Sequence, residues 1–209
     1  MNGTAGDHTY YWLHRLYSLT GFVFAASFVL FFLVPYSSIF GGDLAFNSFM
    51  ARIDAVPLLG WAQFALILVP LVFHTAMGVM IVYGSQINVV SYGYYRNWMY
   101  ALQRLAGLAL IPFVSYHIYS AELAPAVSGR AVTAGLMFSR LSSPWVKGLY
   151  LAGVASAAFY FGNGLAHASR SWGIAASRRS RGAFVIAGWM ITLLLAFWGV
   201  KLVLSLQGS

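Results

Sequence analysis

Two histidines, His74 and His117, stand deep inside long apolar runs, and arginines stand at the mouths of those runs. A neutral imidazole offers one nitrogen lone pair to a metal and one N–H to an acceptor. A guanidinium offers a fork of donors to an anion or a polarised carbonyl. The bland reading of each histidine is a neutral ring bonded to a neighbouring helix. Ionisable side chains inside an apolar span nevertheless point toward function. The densest stretch runs from Gly93 to Ser120, GYYRNWMYALQRLAGLALIPFVSYHIYS, with Arg96 and Arg104 at its start and His117 near its end. A second polar group, His14, Arg15, Tyr17 and Ser18, opens the first apolar run, and His167 closes the fourth. Trp98 and Arg104 extend this set of donors, proton carriers and apolar wall. For Arg15 the alternative is snorkelling to headgroups, and for Tyr17 and Trp98 it is an interfacial belt.

The elements that must position them are membrane helices. Of the 209 residues, 60% are hydrophobic and only 8% charged. A soluble domain carries roughly 25% charged residues, so this chain cannot cover a water-facing surface. About 20 apolar residues cross ~30 Å of hydrocarbon, and five segments qualify: 16–36, 58–84, 98–120, 144–168 and 183–206. The expected architecture is an all-α, five-helix membrane bundle forming one domain over 1–209. Arg15, Arg96, Arg104 and the arginines of 170–181 favour an amino terminus inside and a carboxyl terminus outside. A net charge of +8 placed mostly at helix ends suits headgroups or a partner rather than nucleic acid. With no cysteine there is no disulfide, Cys-ligated zinc, protein-held iron–sulfur cluster or CxxCH haem attachment. The sequence MNGTAGDHTYYW has neither a cationic n-region nor an early apolar core, so no cleaved signal peptide is expected.

Helix rise sets the depth of the histidines. His74 lies 17 residues after Pro57, roughly 25 Å along its helix. His117 lies 20 residues after Asn97, roughly 30 Å along a helix running the other way. They therefore lie on the order of 20 Å apart along the membrane normal and cannot share one metal. Pro70 and Pro112 stand four and five residues before them and are expected to kink their helices. The connections 37–56 and 121–143 read as loops, in which Asp54 and Glu122 would be solvated or take up protons near His117. No carboxylate lies within a span, which argues against a proton-coupled transporter. A small transporter or channel stays the alternative from another class.

The stretches LHRLYSLTG (13–21), AFNS (45–48), LVPLVFHTAMGV (68–79), YRNWMYALQRLAG (95–107), FVSYHIY (113–119), LSSP (141–144) and FGNGL (161–165) follow one another with a familiar order and spacing. Over nearly its whole length the chain resembles the single-chain, five-helix cytochrome b membrane subunit of bacterial succinate dehydrogenase and the related quinol:fumarate reductases. The resemblance implies an anchor for a flavoprotein carrying FAD and an iron–sulfur protein in the bacterial cytoplasmic membrane. Such a subunit does no chemistry on succinate but supplies the quinone site of respiratory complex II, and the whole complex can form higher oligomers. The resemblance makes His14, Arg15, Tyr17, Ser18, Trp98, Arg104 and His167 the candidates for that quinone site. The family usually holds two haems b, each between two histidines. His74 and His117 match two of those ligands. The partner positions hold Phe32 and Tyr160 instead, so the usual bis-histidine haems are not expected. His167, seven residues past Tyr160, is about 10 Å too deep to substitute. A phenol in an apolar interior resists the ionisation that iron ligation needs. Retention of one haem and loss of both stay open.

Overall fold

The computed structural model describes residues 4–206, apart from the side chains of 4–7, 9 and 32. The described chain is helical with short connections. We label its main helices α1 (Thr4–Phe28), α2 (Asp43–Asp54), α3 (Val69–Tyr83), α4 (Tyr95–His117), α5 (Ala134–Leu141), α6 (Pro144–Ser171) and α7 (Arg178–Ser205). Four helical stretches are long and apolar enough to cross a membrane: Tyr10–Gly41, Leu59–Tyr83, Pro144–Ser171 and Arg178–Ser205. The fifth expected span, α4, has 23 residues. Arg96, Gln103 and Arg104 lower the apolar content of its first turns.

The chain divides into two compact units, 1–34 with 56–85, and 35–55 with 86–209. In the first unit α1 packs on α3 and on the segment that leads into it. Gly21 makes this approach close, because a Cβ there would lie 2.6 Å from Cε1 of His74.

In the second unit the broadest interface joins α6 to α7, and the next joins α4 to α6. Glycines set both distances. A Cβ on Gly162 would collide with the Gly188 carbonyl and with Thr192, and one on Gly188 with the Gly162 carbonyl. A Cβ on Gly153 would enter the ring of Phe113. Without a hydrophobic force between helices in lipid, close backbone approach is what small residues contribute.

The two expected loops contain helices. In α2, Asp43 lies in the first turn and Arg52 in the last, each matched to the helix dipole. Phe46 and Met50, one turn apart, are buried. In α5 the Thr133 side chain caps the amino end by accepting from Leu136 N at 3.2 Å. The Asn47 side chain accepts from Ala134 N at 2.9 Å and ties α2 to the start of α5.

Pro70 is the second residue of α3 and follows directly on a π-helical turn. The preceding residues Phe64–Leu68 form a π-helical turn, and Val69 N bonds to Phe64 O. The same device stands before Pro35, where Val34 N reaches Val29 O, and before Pro125, where Ala124 N reaches Tyr119 O. A proline lacks its N–H and crowds the carbonyl four residues back. Widening the turn before it relieves that clash and re-pairs the backbone. Pro112 lies inside α4 without such a turn.

Candidate functional site

The candidate residues fall into two groups, one in each unit. In the first, His14 Nδ1 lies 3.1 Å from the Tyr10 carbonyl and its ring 4.1 Å from the Tyr10 ring. Arg15 Nε donates to the Tyr11 hydroxyl at 3.1 Å, with the guanidinium 5.0 Å from that ring. One turn further, Tyr17 stacks on His74 with ring centres 4.2 Å apart and planes 11° from parallel. His74 Nδ1–H donates to the Tyr17 carbonyl at 2.9 Å. Ser18 is half-buried on α1 beside Tyr17. The family-matched histidine of this unit is thus clasped by α1.

In the second unit Trp98 is exposed on the first turn of α4 and Arg104 is half-buried about two turns in. The Arg104 guanidinium lies 3.2 Å from the centre of the Tyr100 ring and also bonds to the Tyr100 hydroxyl and carbonyl. Stacking fixes the plane of its donors. His167, exposed near the end of α6, feels the positive charges of Arg170 and Arg104. A bonded network lies beside them. Asn163 Nδ2 donates to Gln103 Oε1 at 2.7 Å, and Gln103 Nε2 donates to the Tyr160 carbonyl at 3.1 Å. The Tyr160 ring rests on α4, where a Cβ on Gly107 would lie 3.0 Å from Cε2.

At the other end of α4, His117 sits among aromatic rings. Tyr150, Phe113 and Tyr36 have ring centres 5.7, 6.0 and 6.4 Å away. Its Nδ1 is hydrogen-bonded to the Tyr150 hydroxyl at 3.1 Å. Two features here escape the sequence reading. Glu122 is not a solvated loop residue but half-buried in the π turn Ile118–Leu123. Burial first, and the charge of Asp54 second, push its carboxyl up to about 7, while Arg140 acts the other way. Arg140 buries Nη1 with no hydrogen-bond partner among the described residues. Ser120 Oγ lies 3.5 Å from the Tyr150 hydroxyl.

A haem held between two imidazoles needs a second histidine facing the first. Among the described residues no three His, Cys, Asp or Glu side chains gather as a metal site. The groups described against His74 and His117 include tyrosines, a phenylalanine and a glycine, and no second imidazole is among them. The residues present do not fit a bis-imidazole haem. Of the two family partner positions, the Phe32 side chain lies outside the described residues, and Tyr160 packs on Gly107.

No family model matches the chain. It is 33% identical over 201 residues to the succinate dehydrogenase cytochrome b558 subunit of Bacillus subtilis (strain 168), covering 96% of this chain and 98% of that protein.

Proposed function

Because the chain belongs to the succinate dehydrogenase cytochrome b membrane-anchor family, we propose that it forms the quinone end of a succinate:quinone oxidoreductase. It crosses the bacterial cytoplasmic membrane five times as one domain, amino terminus inside and carboxyl terminus outside. A flavoprotein and an iron–sulfur protein dock on its inner face, and it does no chemistry on succinate itself.

The observation that carries the quinone assignment is Arg104. Its guanidinium is half-buried about two turns into α4 and is held against the Tyr100 ring, which fixes its orientation. Such donors stabilise the negative charge that electrons bring to a quinone oxygen, and they do so without reorganising. His167, near Arg104 in the second unit, supplies protons. The hydroxyls of Tyr17 and Ser18 at the start of α1, in the other unit, are separate candidates for hydrogen bonds to a quinone. Trp98 supplies an apolar wall. Electrons arrive from the partner's iron–sulfur clusters, and no step requires haem in this chain. The family's two bis-imidazole haem sites have degenerated. Support comes from Phe32 and Tyr160 at the partner positions and from the packing of His74 on Gly21 and Tyr17.

The test uses the assembled complex with Arg104→Ala and Ser18→Ala. We expect quinone reduction to fall about tenfold or more for Arg104→Ala, as loss of a preorganised donor does. Ser18→Ala should give a smaller fall. Succinate oxidation with a soluble dye stays near wild type in both. Normal quinone turnover in both assembled variants would remove the pocket from this location.

A further inference from the structure

The end of the second unit that carries the starts of α4 and α7 and the end of α6 gathers the positive charges of Arg96, Arg170 and Arg181. A pocket of about 440 Å³ opens there, lined by Tyr95 and Arg96 of α4, Arg170 of α6, and Arg181, Val185 and Ile186 of α7. Arg96 and Arg181 are close enough to repel Arg170. Arg181 is held in place by its own backbone contacts, Nε to the Ala175 carbonyl at 3.1 Å and Nη2 to the Ala176 carbonyl at 3.0 Å. Asp43, Asp54 and Glu122 bound α2 or follow the far end of α4. The amino end of α7 adds its positive dipole to this field, while Arg178 and Arg179 in the same turn worsen the repulsion. An anion would relieve all of these at once.

Below the arginines the surface changes character. Ile186, Met190, Leu193 and Phe197 are exposed, and their spacing places them on one stripe of α7. The stripe descends about 16 Å from Ile186 to Phe197, a depth within the apolar span that a soluble partner does not reach. Trp189 donates to the Tyr95 hydroxyl at 2.9 Å and fixes one edge of the pocket above that stripe. A ligand that fits both parts has an anionic head and a long apolar tail.

We propose that this pocket binds the phosphate head of one anionic phospholipid, with an acyl chain lying along the Ile186–Phe197 stripe. The phosphodiester oxygens accept from Arg96, Arg170 and Arg181, which suits the fork geometry of guanidinium groups. This site is separate from the quinone residues and does not depend on their assignment.

Native mass spectrometry of the complex in mild detergent tests it, with added phosphatidylglycerol or phosphatidylcholine and with inorganic phosphate as the free anion. Two variants are compared with wild type. Arg96→Gln/Arg170→Gln removes charge. Gly182→Leu plugs the pocket at a position where an added Cβ meets nothing. The expected result is one phosphatidylglycerol retained in preference to phosphatidylcholine. Its apparent affinity should drop roughly ten- to thirty-fold in the charge variant, from two lost basic contacts near a membrane surface. Gly182→Leu should also lose it, and millimolar phosphate should not displace it. Three results would overturn the proposal. Both variants could retain the lipid like wild type. Inorganic phosphate could compete fully, which would make this a free-anion site. The charge variant could shed the soluble subunits while keeping its lipid, which would make the arginines a protein-docking surface.

Discussion

Glu122 holds its proton more tightly in the folded chain than in the unfolded one, because burial and Asp54 raise its pKa from 4.5 to about 7. An acid whose folded pKa is raised contributes stability that is fully present below the unfolded value. That contribution is lost as pH rises through about 7. Thermal unfolding in detergent should therefore occur at lower temperature at pH 8 than at pH 5, and Glu122→Gln should flatten that slope. A Glu122→Gln protein with an unchanged slope would assign the pH dependence elsewhere. The two deep histidines carry a second prediction. His74 is committed to Tyr17 and Gly21 of α1, and His117 to Tyr150 of α6. The reduced-minus-oxidised spectrum of the complex should lack the paired low-spin b-type bands, and a pyridine haemochrome assay should give well under two haems per chain. Two bis-imidazole haems would show that α1 and α6 are misaligned with the family. Residue type and place on a long helix were readable in the sequence for Arg104 and both histidines. The half-burial of Glu122 was not, because the helix continues past His117 through a π turn that takes the residue out of the expected loop.

At the scale of elements, the approach of α6 to α7 rests on Gly162 and Gly188, whose backbones meet. Gly162→Ala or Gly188→Ala forces the helices apart and should cost about 1–3 kcal/mol, the usual range for overpacking. Gly182→Ala, where an added Cβ meets nothing, is the matched control and should be near neutral. Unfolding midpoints in detergent decide this, and equal midpoints for all three would mean that the glycines do not set the interface. Apolar runs made the long helices visible, since length and composition alone specify a span. The helices α2 and α5 were hidden because they are short, and their burial comes from Phe46, Met50 and the Asn47–Ala134 bond rather than from a long period. The place where a kink is expected, Pro70, carries a local irregularity. A π turn before the proline takes up the missing hydrogen bond, as it does before Pro35 and Pro125.

At the scale of the whole molecule, a chain with 8% charged residues and four acidic residues in all must bury its apolar faces in lipid and find its counterions elsewhere. Membrane spans follow from that composition alone. The order of short polar motifs, above all RNWMYALQRLAG, carried the family, and end-to-end identity of 33% with a succinate dehydrogenase cytochrome b558 subunit agrees with it. The partner proteins left no mark readable from composition, since a docking surface and a headgroup surface are both cationic. The most direct measurement is therefore the subunit composition of the tagged chain, purified in mild detergent from the membranes of its own cells. The account predicts a flavoprotein with bound flavin and an iron–sulfur protein in equal amounts with the chain, and succinate-driven quinone reduction by the eluate. A flavin-free oligomer of this chain alone, active in solute uptake, would contradict it.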